Sequence, residues 1–145
     1  MKTKLHKFLF ALFCVGAFLP WRAIAQERGD ELTAKAPKQL TLVYAVMCEE
    51  IKEHAPQNQA IVFSIQNGTV CCFTSYDPVP EKSFIYHNWF HRDKPAARIK
   101  LFLQPPRWAT FSRIQLRESD KGPWRVEITN QKGTLLRVVR FSITD

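Results

Sequence analysis

Past residue 38 the apolar residues gather in eight short runs, each closed by polar, proline, glycine or asparagine-rich stretches, and no long helical period appears. The runs are 39–48, 60–66, 69–75, 83–90, 97–103, 108–116, 124–129 and 135–143. Segments this short, alternating and rich in Val, Ile, Phe, Tyr and Trp bury their surface as strands. The expected fold is therefore all-β: a single antiparallel β-sandwich, immunoglobulin-like, of about eight short strands over residues 39–145. An open barrel is the second choice.

The breaks between runs refine this layout. Glu49 to Glu53 reads as one helical turn, and the polar stretch around His54, Pro56 and Asn58 reads as loop. Asn67-Gly68 is the strongest short hairpin signal in the chain. Pro78 and Pro80 exclude a ladder there, and Pro105-Pro106 parts two runs expected to neighbour one another. Residues 130–133 predict a final hairpin.

Strand parity sorts the side chains. Trp108, Ile114 and Leu116 share one face, as do Trp124, Val126 and Ile128, and as do Ile99, Leu101 and Leu103. These are expected inside, with Phe73 and Phe141 in the same core. Arg98, Lys100, Arg107, Arg113, Arg117 and Arg125 then face outward as a basic row on two successive hairpins. Arg137 and Arg140 have opposite parity, which calls for a bulge or a sheet margin.

The N-terminus supplies an address. Lys2, Lys4 and Lys7 precede an apolar run over residues 8–19, Pro20 breaks it, and Ala23-Ile24-Ala25 forms a small-x-small site. This is the layout of a signal peptide cut after Ala25, followed by a flexible leader over residues 26–38. The apolar run is too short for the roughly 20 residues of a spanning helix. The expected destination is periplasmic or secreted, with no transmembrane helix in the mature chain and no nucleic-acid partner. Removing 25 of the 145 residues leaves 120, enough for one core. Lys2, Lys4, Lys7 and Arg22 leave with the peptide, so the net charge of +8 falls to +4.

Three aromatic signatures occur in order: His87-Asn88-Trp89, then Arg107-Trp108 with Ser112, then Gly122-Pro123-Trp124-Arg125-Val126-Glu127-Ile128. With Gly133, the closing Arg140-Phe141-Ser142, and the upstream Cys48-Glu49 and Cys72-Phe73-Thr74, they resemble the bacterial family filed as domain of unknown function 2914. The resemblance covers roughly residues 44–145. It implies a compact β module, often exported, with no established reaction.

Cys48, Cys71 and Cys72 remain after export, where thiols tend to pair. Neighbouring strand residues face opposite ways, so Cys71 and Cys72 cannot both meet Cys48. The resemblance points to Cys48–Cys72, which leaves Cys71 spare. His87 and His91 have a metal-like spacing but straddle a strand end, and Cys71-Cys72 chelates poorly, so no metal or other cofactor is expected. Cys71 or Cys72 with His87, or Ser112 with a histidine, could make a small hydrolase or thiol enzyme. No local signature activates them.

Of the tryptophans, Trp89 is the candidate for exposure, near His87, His91 and Arg92 at a strand end. The expected function is a non-catalytic exported module. It would bind an envelope protein or an anionic glycan or lipid headgroup through the basic row and the 87–92 rim. A structural subunit of an envelope complex is the third alternative.

Overall fold

The computed structural model describes residues 39–145, which form two β-sheets. The expected signal peptide, residues 1–25, and leader, residues 26–38, lie outside the described residues. Nine strands follow in order: β1 Leu42–Lys52, β2 Ala55–Gln59, β3 Val62–Ser64, β4 Thr69–Tyr76 and β5 Ser83–His91, then β6 Lys94–Leu103, β7 Trp108–Gln115, β8 Gly122–Asn130 and β9 Leu135–Thr144. Among the described residues the only helical pieces are two single 3-10 turns. No helix there is long and apolar enough to cross a membrane.

One sheet has the order β2-β1-β4-β7 and the other β3-β9-β8-β5-β6. All pairings are antiparallel except β3 with β9. The chain changes sheet five times, between β2 and β3, β3 and β4, β4 and β5, β6 and β7, and β7 and β8. That crossing order, with a buried tryptophan on β5, is immunoglobulin-like, as the strand pattern predicts.

The inner faces close over Met47, Val70, Cys72, Trp89, Val126, Ile128, Phe141 and Ile143. A second cluster joins Tyr76, Val79, Ile85 and Leu103. Edge-to-face contacts of Trp89 and Phe63 on Phe141 hold the aromatic centre, with ring centroids 5.9 and 6.1 Å apart.

Three local expectations fail, each for a backbone reason. The stretch around Pro56 and Asn58, expected to be loop, is the edge strand β2, paired with β1. No helical turn forms at residues 49–53; β1 runs on to Lys52 and turns back into β2. The two-residue turn is Glu53-His54, with φ of 50° and 63°, a primed-turn conformation that ordinary side chains rarely adopt and that no Asn-Gly signal advertises. Asn67-Gly68 makes no hairpin. Ser64 Oγ caps a 3-10 turn over Ile65–Asn67, and Gly68 closes it in the left-handed region at φ 71°. The chain thereby steps from β3 in one sheet to β4 in the other.

Arg137 and Arg140 keep opposite parity in an unbroken register, Arg137 opposite the inward Ile128 and Arg140 opposite Arg125. The β8–β9 bulge lies beyond Arg137, between Ile128 and Thr129, so no bulge separates the two arginines. Gly122 shows why the third aromatic signature opens on glycine. Its φ is +116°, and a Cβ there would stand 3.1 Å from Arg92 Nη2. That guanidinium donates to the Lys121 carbonyl at 3.0 Å. Gly122→Ala is expected to cost about 1–3 kcal/mol through backbone strain and displacement of Arg92. A urea melt of the variant that overlays the parent would contradict it.

Candidate functional site

His87, Trp89 and Ser112, prominent in the sequence, meet between the sheets. The strand period turns His87 and Trp89 of β5 inward, and Thr74 of β4 and Ser112 of β7 face them across the interior. All four are buried. Trp89 Nε1 donates to Ser112 Oγ at 3.1 Å. Ser112 Oγ lies 2.7 Å from His87 Nδ1, His87 Nε2 lies 3.2 Å from Thr74 Oγ1, and Thr74 Oγ1 donates to the Thr110 carbonyl at 3.4 Å.

One assignment satisfies every hydrogen. Tryptophan can only donate, so Ser112 accepts from it and donates its own proton to Nδ1. The imidazole then carries its proton on Nε2 and donates to Thr74, which passes the direction on to the backbone. The relay needs a neutral ring, and burial lowers the His87 pKa from 6.5 to about 3. Ser112 and His87 are thus spaced like a nucleophile and base, yet closed from water. Their arrangement ties the two sheets together.

This places Trp89, expected at the surface, at the centre of the core with no exposure. Its contact with Phe141 on β9 and its donor bond to Ser112 draw it inside. Within the 87–92 rim, His87 is likewise interior. His91 stacks on Trp124 at 4.5 Å, and both His91 and Arg92 bond to the Lys121 carbonyl. These contacts hold the turn before β8.

Phe73, Trp124, Val126, Ile128 and Phe141 are buried as expected, although Phe73 lies on the outer side of its sheet with Cys48 and Cys71. Trp108 corrects the core assignment. It has the predicted parity but stands at the first position of the edge strand β7 and is 38 % exposed.

The basic row does not form one surface, because Pro105-Pro106 carries the chain from one sheet to the other. Arg98, Lys100 and Arg125 lie outside the five-stranded sheet, each over an aromatic ring: Tyr86 at 3.7 Å, Phe84 at 3.8 Å and Phe90 at 4.2 Å. Arg125 is also paired with Glu127 and Asp93. Arg113 stands outside the four-stranded sheet, Arg107 lies in the β6–β7 connection, and Arg117 opens the 3-10 turn of Glu118–Asp120.

A wide concavity lies on the outer face of the four-stranded sheet. It is a groove of about 960 Å³ whose lining includes Val43, Ile51, Phe73, Trp108 and Phe111. Val43, Trp108 and Phe111 are 50, 38 and 40 % exposed. Glu53, His54, Asp77 and Arg107 add charged and polar groups to the lining. Parity reasoning assigned a single apolar face to each strand and so passed over this one. The signal was present: residues 42–48 and 69–73 are apolar on both parities, as in strands covered on two sides.

Residues 82–143 match the family Protein of unknown function (DUF2914). No curated protein matches the chain. The DUF2914 match runs from the start of β5 into β9, and holds the three aromatic signatures with Trp89, Ser112 and Trp124. It is shorter than the 44–145 resemblance and leaves β1 and β4 outside.

Those two strands carry the three cysteines, so the DUF2914 match lends nothing to a Cys48–Cys72 bridge. The register overturns that pairing. Cys48 lies directly opposite Cys71, whereas Cys72 lies opposite Met47 and points into the interior. All three thiols are free. A thiol enzyme pairing Cys71 with His87 is also overturned, since Cys71 faces outward with Phe73 while His87 faces inward. Cys72 shares the interior with His87, but both ring nitrogens are taken by Thr74 and Ser112. Burial raises the Cys72 thiol to about 12, which keeps it protonated.

Proposed function

We propose that the protein is an exported, non-catalytic β-sandwich module that binds a partner protein at the cell envelope through the groove on its four-stranded sheet. The observation that carries this reading is the set of Val43, Trp108 and Phe111, left partly in water around an apolar concavity instead of packed in the core. Large aromatic side chains and arginine are the usual anchors of protein interfaces. The groove also has both signs of charge, Glu53 and Asp77 against Arg107. A polypeptide supplies partners for both, whereas an anionic glycan or lipid headgroup supplies only one.

Peptides selected from a displayed random library against the purified protein provide the probe. Phe111→Asp places a carboxylate on the groove wall, and is expected to weaken their binding at least ~30-fold, the equivalent of about 2 kcal/mol at an interface anchor. Titration calorimetry reads the effect. Undiminished binding by the variant would remove the groove from the account.

A second reading rests on the other outer face. Arg98 and Lys100, stacked on Tyr86 and Phe84, form a cationic aromatic strip suited to an anionic glycan or headgroup. Loss of binding in Arg98→Glu/Lys100→Glu, with Phe111→Asp unaffected, would favour it.

A further inference from the structure

Cys48, Cys71 and Arg113 stand side by side across β1, β4 and β7. The registers place Cys48 opposite Cys71 and Cys71 opposite Arg113, so all three side chains leave the same outer face of the sheet. Directly opposed residues of antiparallel strands have Cα atoms about 4.5–5.5 Å apart, inside the range a disulfide spans. Arg113 Nε donates to Cys71 Sγ at 3.2 Å.

From this juxtaposition we infer that Cys48 and Cys71 are a dithiol–disulfide couple in which Cys71 is the attacking sulfur and Cys48 the resolving one. The two thiols are not equivalent. The Cys48 thiol beside it and Arg113 lower the pKa of Cys71 against the opposing effect of burial, while Cys71 and burial raise that of Cys48. Cys71 Sγ also lies 3.7 Å from the Glu49 carbonyl. A charge-assisted donor on one sulfur and a protonated thiol beside it divide the two roles.

The chemistry balances with a disulfide as oxidant. Cys71 thiolate attacks one sulfur of the small or protein disulfide, forming a mixed disulfide and releasing one thiolate. Cys48 gives up its proton to that thiolate and attacks the Cys71 sulfur, which closes the cross-strand bridge and releases the second thiolate. Two protein thiols are oxidised and one external disulfide is reduced to two thiol equivalents. Both sulfurs are buried. Phe73, Val46 and Ile51 pack with the pair, and Arg113, exposed on an edge strand, is a polar side chain against Cys71, so an external disulfide reaches it through local opening at that edge.

Oxidised glutathione added to the folded protein tests the assignment, with intact mass and fragmentation as the readout. The parent and Cys72→Ala are expected to lose two hydrogens and join Cys48 to Cys71. Cys48→Ala is expected to hold a glutathione adduct on Cys71, and Cys71→Ala to gain neither bridge nor adduct. Arg113→Gln should slow bridge formation about tenfold, with the loss of one charge-assisted hydrogen bond. A bridge that includes Cys72, an adduct on Cys48 in Cys71→Ala, or oxidation seen only in urea would each overturn the inference. Circular dichroism of the variants separates those outcomes from a failure to fold.

Discussion

Replacing Trp89 with alanine is expected to lower the unfolding free energy by about 3–5 kcal/mol, the range for deleting a large buried aromatic. Against a typical domain stability of about 5–15 kcal/mol, that is enough to bring a domain of this size near its unfolding threshold. Two losses add. The cavity removes the edge-to-face contact with Phe141 and the packing against the inner cluster. The indole N–H also vanishes, so Ser112 loses the donor that orients its hydroxyl toward His87. Trp89→Phe keeps most of the ring and is expected to cost much less. Urea unfolding of the three proteins measures both effects, and a cost below about 1 kcal/mol for the alanine variant would show that the interior does not depend on this side chain.

Acid is expected to destabilise the protein through His87. The folded pKa is lowered from 6.5 to about 3, because burial penalises the cation. The unfolded chain therefore takes up the proton first as pH falls. The contribution of this histidine is complete above pH 6.5 and is lost progressively as pH drops toward 3, by up to about 1.4 kcal/mol per pH unit. Carboxylates titrate through part of the same window, so the informative quantity is a difference. His87→Gln is expected to be less stable at neutral pH but to show a shallower decline between pH 6 and 4. Equal slopes for the two proteins would mean that His87 takes up its proton as readily in the folded chain.

Both experiments probe a cluster that was half legible in the sequence. His87, Trp89 and Ser112 stood out as residues, and the two-residue period of β5 puts His87 and Trp89 on one face. Which face was another matter. Adjacency to His91 and Arg92 suggested a rim, and only the opposing sheet, with Ser112 and Thr74 aimed at β5, makes it an interior. Trp108 shows the converse. Its parity was right, but it opens the edge strand β7 and stays partly exposed, while Tyr76 beside it on β4 is buried. Parity says which way a side chain points; it does not say whether anything lies there.

The basic residues failed as a group for a topological reason. Arg98 and Lys100 are separated from Arg107 and Arg113 by a short proline-containing loop, which reads as a hairpin connection within one sheet. It is a crossover, and the two sets end on opposite outer faces. Asn67-Gly68 misled in the same way, serving as the left-handed close of a 3-10 turn at a change of sheet.

Local chemistry by itself determined that this chain is β throughout its described part, where most of its strands run, and which residues alternate, because strand periodicity and turn chemistry act within a few residues. The partner opposite each face was decided by tertiary structure alone. Whether Cys48 meets Cys71 or Cys72, whether a tryptophan is core or groove, and whether arginines gather or part all depend on strands distant in sequence. Their register is set by the burial of the whole interior at once.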